Sequence, residues 1–209
     1  MNRPKPTLLQ PRKTPRQARS AATIEAIRQA TIQVLLADGV ARLTTTRVAE
    51  RAGVSVGTMY QYYPHKQALL FGLVDKQLRL IEDAMGAAYD RLMGGDLKSL
   101  AEGLAAAWLD AKMADMVSSR AIYGIASEFD LSALMGRAAK TMAERFEALL
   151  ASAPDAQFAD RASVAFMLAA LLGGSVRMVM EADPSEGNLE RLRNELPRAC
   201  HAYLVAARI

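Results

Sequence analysis

Apolar positions recur at three- and four-residue spacing almost everywhere after residue 20, and no segment has the two-residue alternation of a strand. Ile24, Ile27, Thr31, Val34 and Leu35 fall on one face of a first helix, which Gly39 is placed to end. Thr44 suits the N-cap of a second helix, in which Val48, Ala49 and Ala52 face inward before Gly53 stops it. Ser55 then caps a third helix, closed by Pro64. Leu69, Leu70, Leu73, Val74, Leu78, Ile81, Met85, Ala88 and Leu92 keep helical register through a long fourth helix that Gly94-Gly95 ends. Further helices are predicted near 97–116, 118–128, 131–152, 158–181 and 187–207, with breaks at Pro154, Asp183-Pro184 and Gly187. The expected fold class is all-α, with about nine helices. It divides into a three-helix domain over 20–66 and a helical domain over 67–209.

Charge adds a direction to this picture. Residues 1–66 hold eleven Lys/Arg and three acids, whereas the remainder holds fifteen and nineteen. That asymmetry fits a basic module that meets a polyanion, attached to a body that need not. Six of the basic residues and four prolines lie in residues 1–19, which are expected to form a disordered arm; a solvated tail explains their charge equally well. The single cysteine, Cys200, cannot form an internal disulfide, which suits a reducing compartment. No run reaches the roughly 18 uncharged residues of a membrane span. The longest, 162–180, is interrupted by Gly173, Gly174, Ser175 and Arg177. The N-terminus is Pro-rich with no apolar segment behind it, unlike a secretion signal. A soluble cytoplasmic protein, at the nucleoid when bound to DNA, is expected, with no membrane partner.

The second and third helices, joined at Gly53, read as a helix-turn-helix that grips double-stranded DNA. Val54, Met59 and Tyr63 have the spacing to pack the third helix inward. Ser55, Val56, Gly57, Thr58, Tyr60 and Gln61 are left to the outer face. Gly57 allows close approach, Thr58 and Gln61 suit base edges, and Val56 suits a thymine methyl. Thr44 with its neighbour Thr45, Ser55, Tyr60 and Lys66 suit phosphate oxygens. Thr44 and Ser55 are caps in either case, and Tyr62 is open to a purely packing role.

These positions resemble the TetR family of bacterial transcriptional regulators. The likeness runs through Thr44, Val48-Ala49, Ala52-Gly53-Val54-Ser55, Gly57, Met59-Tyr60, Tyr62-Tyr63 and Lys66, within residues 20–75. The resemblance implies phosphate contacts from Thr44, Tyr60 and Lys66, and a homodimer through the last two helices. It also implies a small-molecule effector in the second domain that moves the fourth helix and releases a palindromic operator. Two departures stand out. Val56 occupies a position that is basic in many relatives, and His65 one where relatives place an Asn, Ser or Asp cap; the chain is therefore expected to lack one phosphate contact and one cap. Arg12, Lys13, Arg16 and Arg19 are placed to compensate by reaching a minor groove or phosphates.

For the effector, Trp108, Met113, Met116, Tyr123, Phe129, Met142 and Phe166 are candidate pocket residues, with Arg177 or Arg120 offering specificity for an anion. Ordinary core packing is the competing reading for each. Catalysis finds no support. The two histidines, His65 and His201, lie in different halves, and Cys200 and His201 point about 100° apart on a helix. No Gly-rich phosphate loop or zinc spacing is present, so neither cofactor nor metal is expected. Two function classes stay open: a ligand-released repressor, and a helical DNA-binding protein without a small-molecule ligand.

Overall fold

The computed structural model describes residues 18–126 and 130–209. Among them it has nine α-helices and no strand: α1 (Ala18–Asp38), α2 (Thr45–Ala52), α3 (Val56–Tyr62), α4 (Lys66–Leu92), α5 (Leu97–Met113), α6 (Met116–Ala126), α7 (Ser132–Ser152), α8 (Arg161–Ala182) and α9 (Glu186–Ala207). The all-α class follows from the periodicity. The predicted ends shift where a cap intervenes. Asp115 accepts from the Ser118 amide at 2.9 Å and starts α6 two residues before its predicted position. Asp160 accepts from the Ser163 amide at 3.0 Å and delays α8 to Arg161.

The described residues form two compact units that divide inside α4, after Gln77. The first runs to Gln77 and includes the described residues of Gly124–Asp130. Its core comes from one face of each of four helices: Ile27 and Val34 of α1, Val48 and Ala49 of α2, Met59 of α3, and Leu69, Leu70 and Val74 of α4 are all buried. Thr31, fully buried in α1, donates its hydroxyl to the Ile27 carbonyl at 2.7 Å, so it enters the core without an unpaired group. The turn between α2 and α3 depends on Gly53, whose φ of 66° lies in the left-handed region.

The second unit contains Leu78–Tyr123 and Leu131–Ile209. Here α5 packs on α9, α7 on α8, and α8 on α9. Leu100, Leu104, Phe146, Leu168, Leu172 and Leu204 fill the centre. Two loops are tied together by side chains, Gly94 N–H to Ser152 Oγ and Leu97 N–H to Asp155 Oδ1, both at 2.9 Å.

The break expected within 162–180 needs a correction at α8. Gly173, Gly174 and Ser175 do not break it, and by length and composition it is apolar enough to cross a membrane. Its Val164, Leu168, Leu172 and Val176 face is buried in the unit's core. Phe166 (66 % exposed) and Met178 (65 %) lie on the opposite side.

Candidate nucleic-acid interface and effector region

The interface starts from two caps. Thr44 Oγ1 accepts from the Arg47 amide at 3.2 Å, and Ser55 Oγ accepts from the Thr58 amide at 3.0 Å, so each begins its helix as its sequence position predicts. Arg47 reaches back to Asp38 at 3.4 Å, which also pairs with Arg42 at 3.7 Å, tying the end of α1 to the start of α2. Met59, Tyr62 and Tyr63 are buried, and Val54 is partly so. Tyr62 therefore packs, as its alternative reading had it. Opposite them, Val56 and Tyr60 are 41 % and 44 % exposed, and Ser55, Gly57 and Gln61 are exposed too.

Three candidates are less free than their positions suggest. Thr58 Oγ1 lies 2.9 Å from Ser55 Oγ, so its hydroxyl is drawn towards the cap. Thr45 is buried, with its hydroxyl 3.5 Å from Tyr60 Oη, a distance that marks a weak bond. It sits behind Tyr60 and steadies it more than it faces outward. The Lys66 ammonium donates to the Val40 carbonyl, at the turn that follows α1. A phosphate contact from Lys66 must share the ammonium with that turn. Arg12, Lys13 and Arg16 lie outside the described residues, as does the Arg19 side chain.

His65 departs from expectation in the opposite sense. Its Nδ1 accepts from the Ala68 amide at 3.1 Å, and its carbonyl accepts from the Leu69 amide at 3.3 Å. The fourth helix therefore keeps a cap, because a neutral imidazole nitrogen can accept as an Asn or Asp oxygen does.

The effector candidates separate into groups. Trp108 is buried, and its Nε1–H donates to the Leu172 carbonyl at 2.9 Å. Met113, Met116, Tyr123 and Met142 are partly buried against the same core. Phe166 lies on the exposed side of α8 and is not brought to them. Arg177 is also exposed, paired with Glu181 at 2.8 Å; Arg120 is exposed as well. Phe129 lies outside the described residues. The residue that sequence reasoning missed is Lys112. Its Nζ sits 4.8 Å from the Trp108 ring centre and 5.8 Å from that of Tyr123, and loss of solvent lowers its pKa to about 8. The available signal was a lysine one helical turn after a core tryptophan. Cys200 is fully buried, and burial raises its thiol pKa to about 11, far from the reactive range.

Two short helices joined at a left-handed glycine, with one face packed and the other open, define a helix-turn-helix DNA-binding protein. Residues 27–73 match the model for bacterial regulatory proteins of the tetR family, and residues 96–204 match that for tetracyclin repressor-like C-terminal domains. The chain belongs to the TetR family of transcriptional regulators, DNA-binding proteins that are not enzymes. No curated protein matches it in sequence. Among solved structures, the SmeT–triclosan complex is similar with a TM-score of 0.62 and 21 % identity, over 90 % of this chain and 92 % of that one. The fatty acid degradation regulator FadR from Bacillus halodurans gives 0.67 and 17 %, over 86 % and 94 %. A transcriptional regulator from Cytophaga hutchinsonii gives 0.68 and 16 %, over 90 % and 100 %. At these identities the likeness is one of fold.

Proposed function

We propose that this protein is a homodimeric cytoplasmic repressor that grips a palindromic operator and is released by a small apolar or aromatic effector. The observation that carries the DNA reading is the two-sided α3. Met59, Tyr62 and Tyr63 anchor it, while Val56, Gly57, Tyr60 and Gln61 face outward on a scaffold steadied by Asp38 and Arg47. Val56 and Gln61 read base edges, and Thr44 and Tyr60 position the helix on phosphates. One such helix spans few base pairs, and a two-fold dimer reads both halves of a palindrome.

The dimer reading is supported by α8 and α9. On α8 the exposed residues Phe166, Ala170, Gly174 and Met178 are spaced by four, and on α9 Ala199, Ala202, Val205 and Ala206 are exposed. Apolar side chains left open in this number favour cover by a second copy. The effector reading draws on Met113, Met116, Tyr123 and Met142 at the edge of the second unit's core, and on the triclosan bound by the structurally similar SmeT.

The test is to bind the protein to the DNA upstream of its own gene and to screen apolar and aromatic compounds for release, following the complex by electrophoretic mobility. Release by at least one compound, with a specific footprint, is expected. One observation favours a second reading, a DNA-binding protein without a ligand: Trp108 is packed and its N–H is satisfied internally. Sequence-independent binding with a steep salt slope, indifferent to every compound, would replace the first reading with this one.

A further inference from the structure

Lys112 stands out in the second unit because the ammonium of this half-buried side chain lies over two aromatic rings. It lies in the last turn of α5, between Trp108 of the same helix and Tyr123 of α6. The ring faces attract a cation, but they supply no countercharge. Three carboxylates of this unit have partners of their own. Asp110 pairs with Arg193 at 3.2 Å, Asp115 accepts from the Ser118 amide at 2.9 Å, and Glu181 pairs with Arg177 at 2.8 Å. Among the described residues no carboxylate is paired with the Lys112 ammonium. A partly desolvated charge that lacks an ion-pair partner is costly to keep and is open to something of the opposite sign.

The geometry points to Lys112 as the cationic anchor of the effector site, which then takes a monocarboxylate with an apolar body. This rests on the ligand-released reading above and narrows it to one chemical class. A single cation balances a single negative charge, and a doubly charged phosphate would bring an unbalanced charge into apolar surroundings. A simple phenol is uncharged near neutral pH and offers the ammonium a hydrogen-bond acceptor but no countercharge. Met113, Met116 and Met142, at the edge of the same core, offer adaptable surface for the apolar body. The lowered pKa of Lys112, a result of burial, is consistent with this role, because an entering carboxylate offsets the cost of the charged form.

Trp108 makes the proposal directly measurable, since it is the chain's single tryptophan and lies under the ammonium. Octanoate and benzoate are titrated against their methyl esters, with Trp108 emission and operator release as the two readouts. The native chain is expected to bind each acid about tenfold or more tighter than its ester, as a charge-assisted contact requires. Lys112→Met removes the difference and Lys112→Arg keeps it, with circular dichroism reporting the fold; Lys112→Gln serves if the Met variant does not fold. Equal binding of acids and esters, or a preference for acids that survives loss of the ammonium, overturns the proposal. If esters bind at Trp108 and release DNA as well as the acids do, the carboxylate class falls while the ligand-released reading stands. If the operator is held and a wider screen of neutral and anionic compounds changes neither readout, both fall.

Discussion

A lysine held among aromatic rings has a consequence for stability that is separate from any ligand. Burial lowers the folded-state pKa of Lys112 to about 8, below the ordinary 10.5, so at neutral pH the native chain holds a charge that the unfolded chain solvates better. Between about pH 8 and 10.5 the unfolded state binds more protons, so this residue's contribution to stability rises with pH across that window. Lys112→Met should therefore stabilise the ligand-free protein at pH 7 by about 1–3 kcal/mol, less whatever the ring contacts return. The advantage should shrink towards pH 10. Paired urea melts of the native and Met chains at pH 7 and pH 10 check this, and other titrating groups largely cancel in the difference. A gain that is the same at both pH values would mean that packing, not charge, is responsible. Lys66 stands in contrast, because its ammonium already has the Val40 carbonyl. Lys66→Met should weaken both the fold and operator binding, whereas Tyr60→Phe should lower operator affinity about three- to tenfold with the melting midpoint little changed, because the Thr45 bond it gives up is long and weak. Calorimetry alongside mobility shifts separates the two; equal midpoints for both variants would mean that the Val40 hydrogen bond contributes nothing.

At the scale of helices, the N-terminal end of α4 depends on an unusual cap. His65 Nδ1 takes the Ala68 amide, one of the donors a helix start leaves unpaired. His65→Ala should cost about 1 kcal/mol, whereas His65→Asn, which offers an amide oxygen in the same place, should cost less than half of that. Chemical denaturation of the three chains at one pH decides it; identical midpoints would show that the cap carries no weight. The same cap marks a limit to what the sequence alone specifies. Thr44, Gly53 and Ser55 could be assigned roles because their chemistry is local: a hydroxyl or a missing Cβ acts within four residues of its own position. Helix limits were legible for the same reason, and they shifted where Asp115 and Asp160 capped in ways the apolar pattern does not record. His65 was local too, but its use as an acceptor depends on which ring nitrogen is free, which a residue type does not state. Lys66 and Lys112 lay beyond reach because their partners, Val40 and Tyr123, come from other parts of the chain. The outward turn of Phe166 and Arg177 had the same origin. Spacing put α8 in a core, but which of its faces the core would take depended on α7 and α9.

For the molecule as a whole, operator binding requires that charge and symmetry act together. Six of the eleven basic residues in 1–66 lie in residues 1–19, so a dimer brings twelve such charges from its two arms. Deleting residues 1–19 should weaken binding and flatten its salt dependence, by about 0.9 of a unit in the log–log slope for each phosphate that the arms had neutralised. An unchanged slope would mean that the arm does not touch the backbone. Symmetry offers a sharper test. In a two-fold interface a residue near the axis meets its own copy, so a single substitution places two like charges close together. Ala170 and Gly174 are small, exposed and central to the apolar stripe on α8, and a carboxylate there would be desolvated beside its twin. Ala170→Glu should therefore leave the helical content intact but yield a monomer in sedimentation. Operator affinity should fall more than about tenfold, because two weakly bound halves replace one linked pair. Adding Ala170→Lys chains in equal amount should restore the dimer, since the pair across the axis then attracts. Because a misfolded surface would not be repaired by the opposite charge, this rescue separates a symmetric interface from simple damage to α8. An Ala170→Glu chain that remains dimeric and binds DNA normally would place the interface elsewhere.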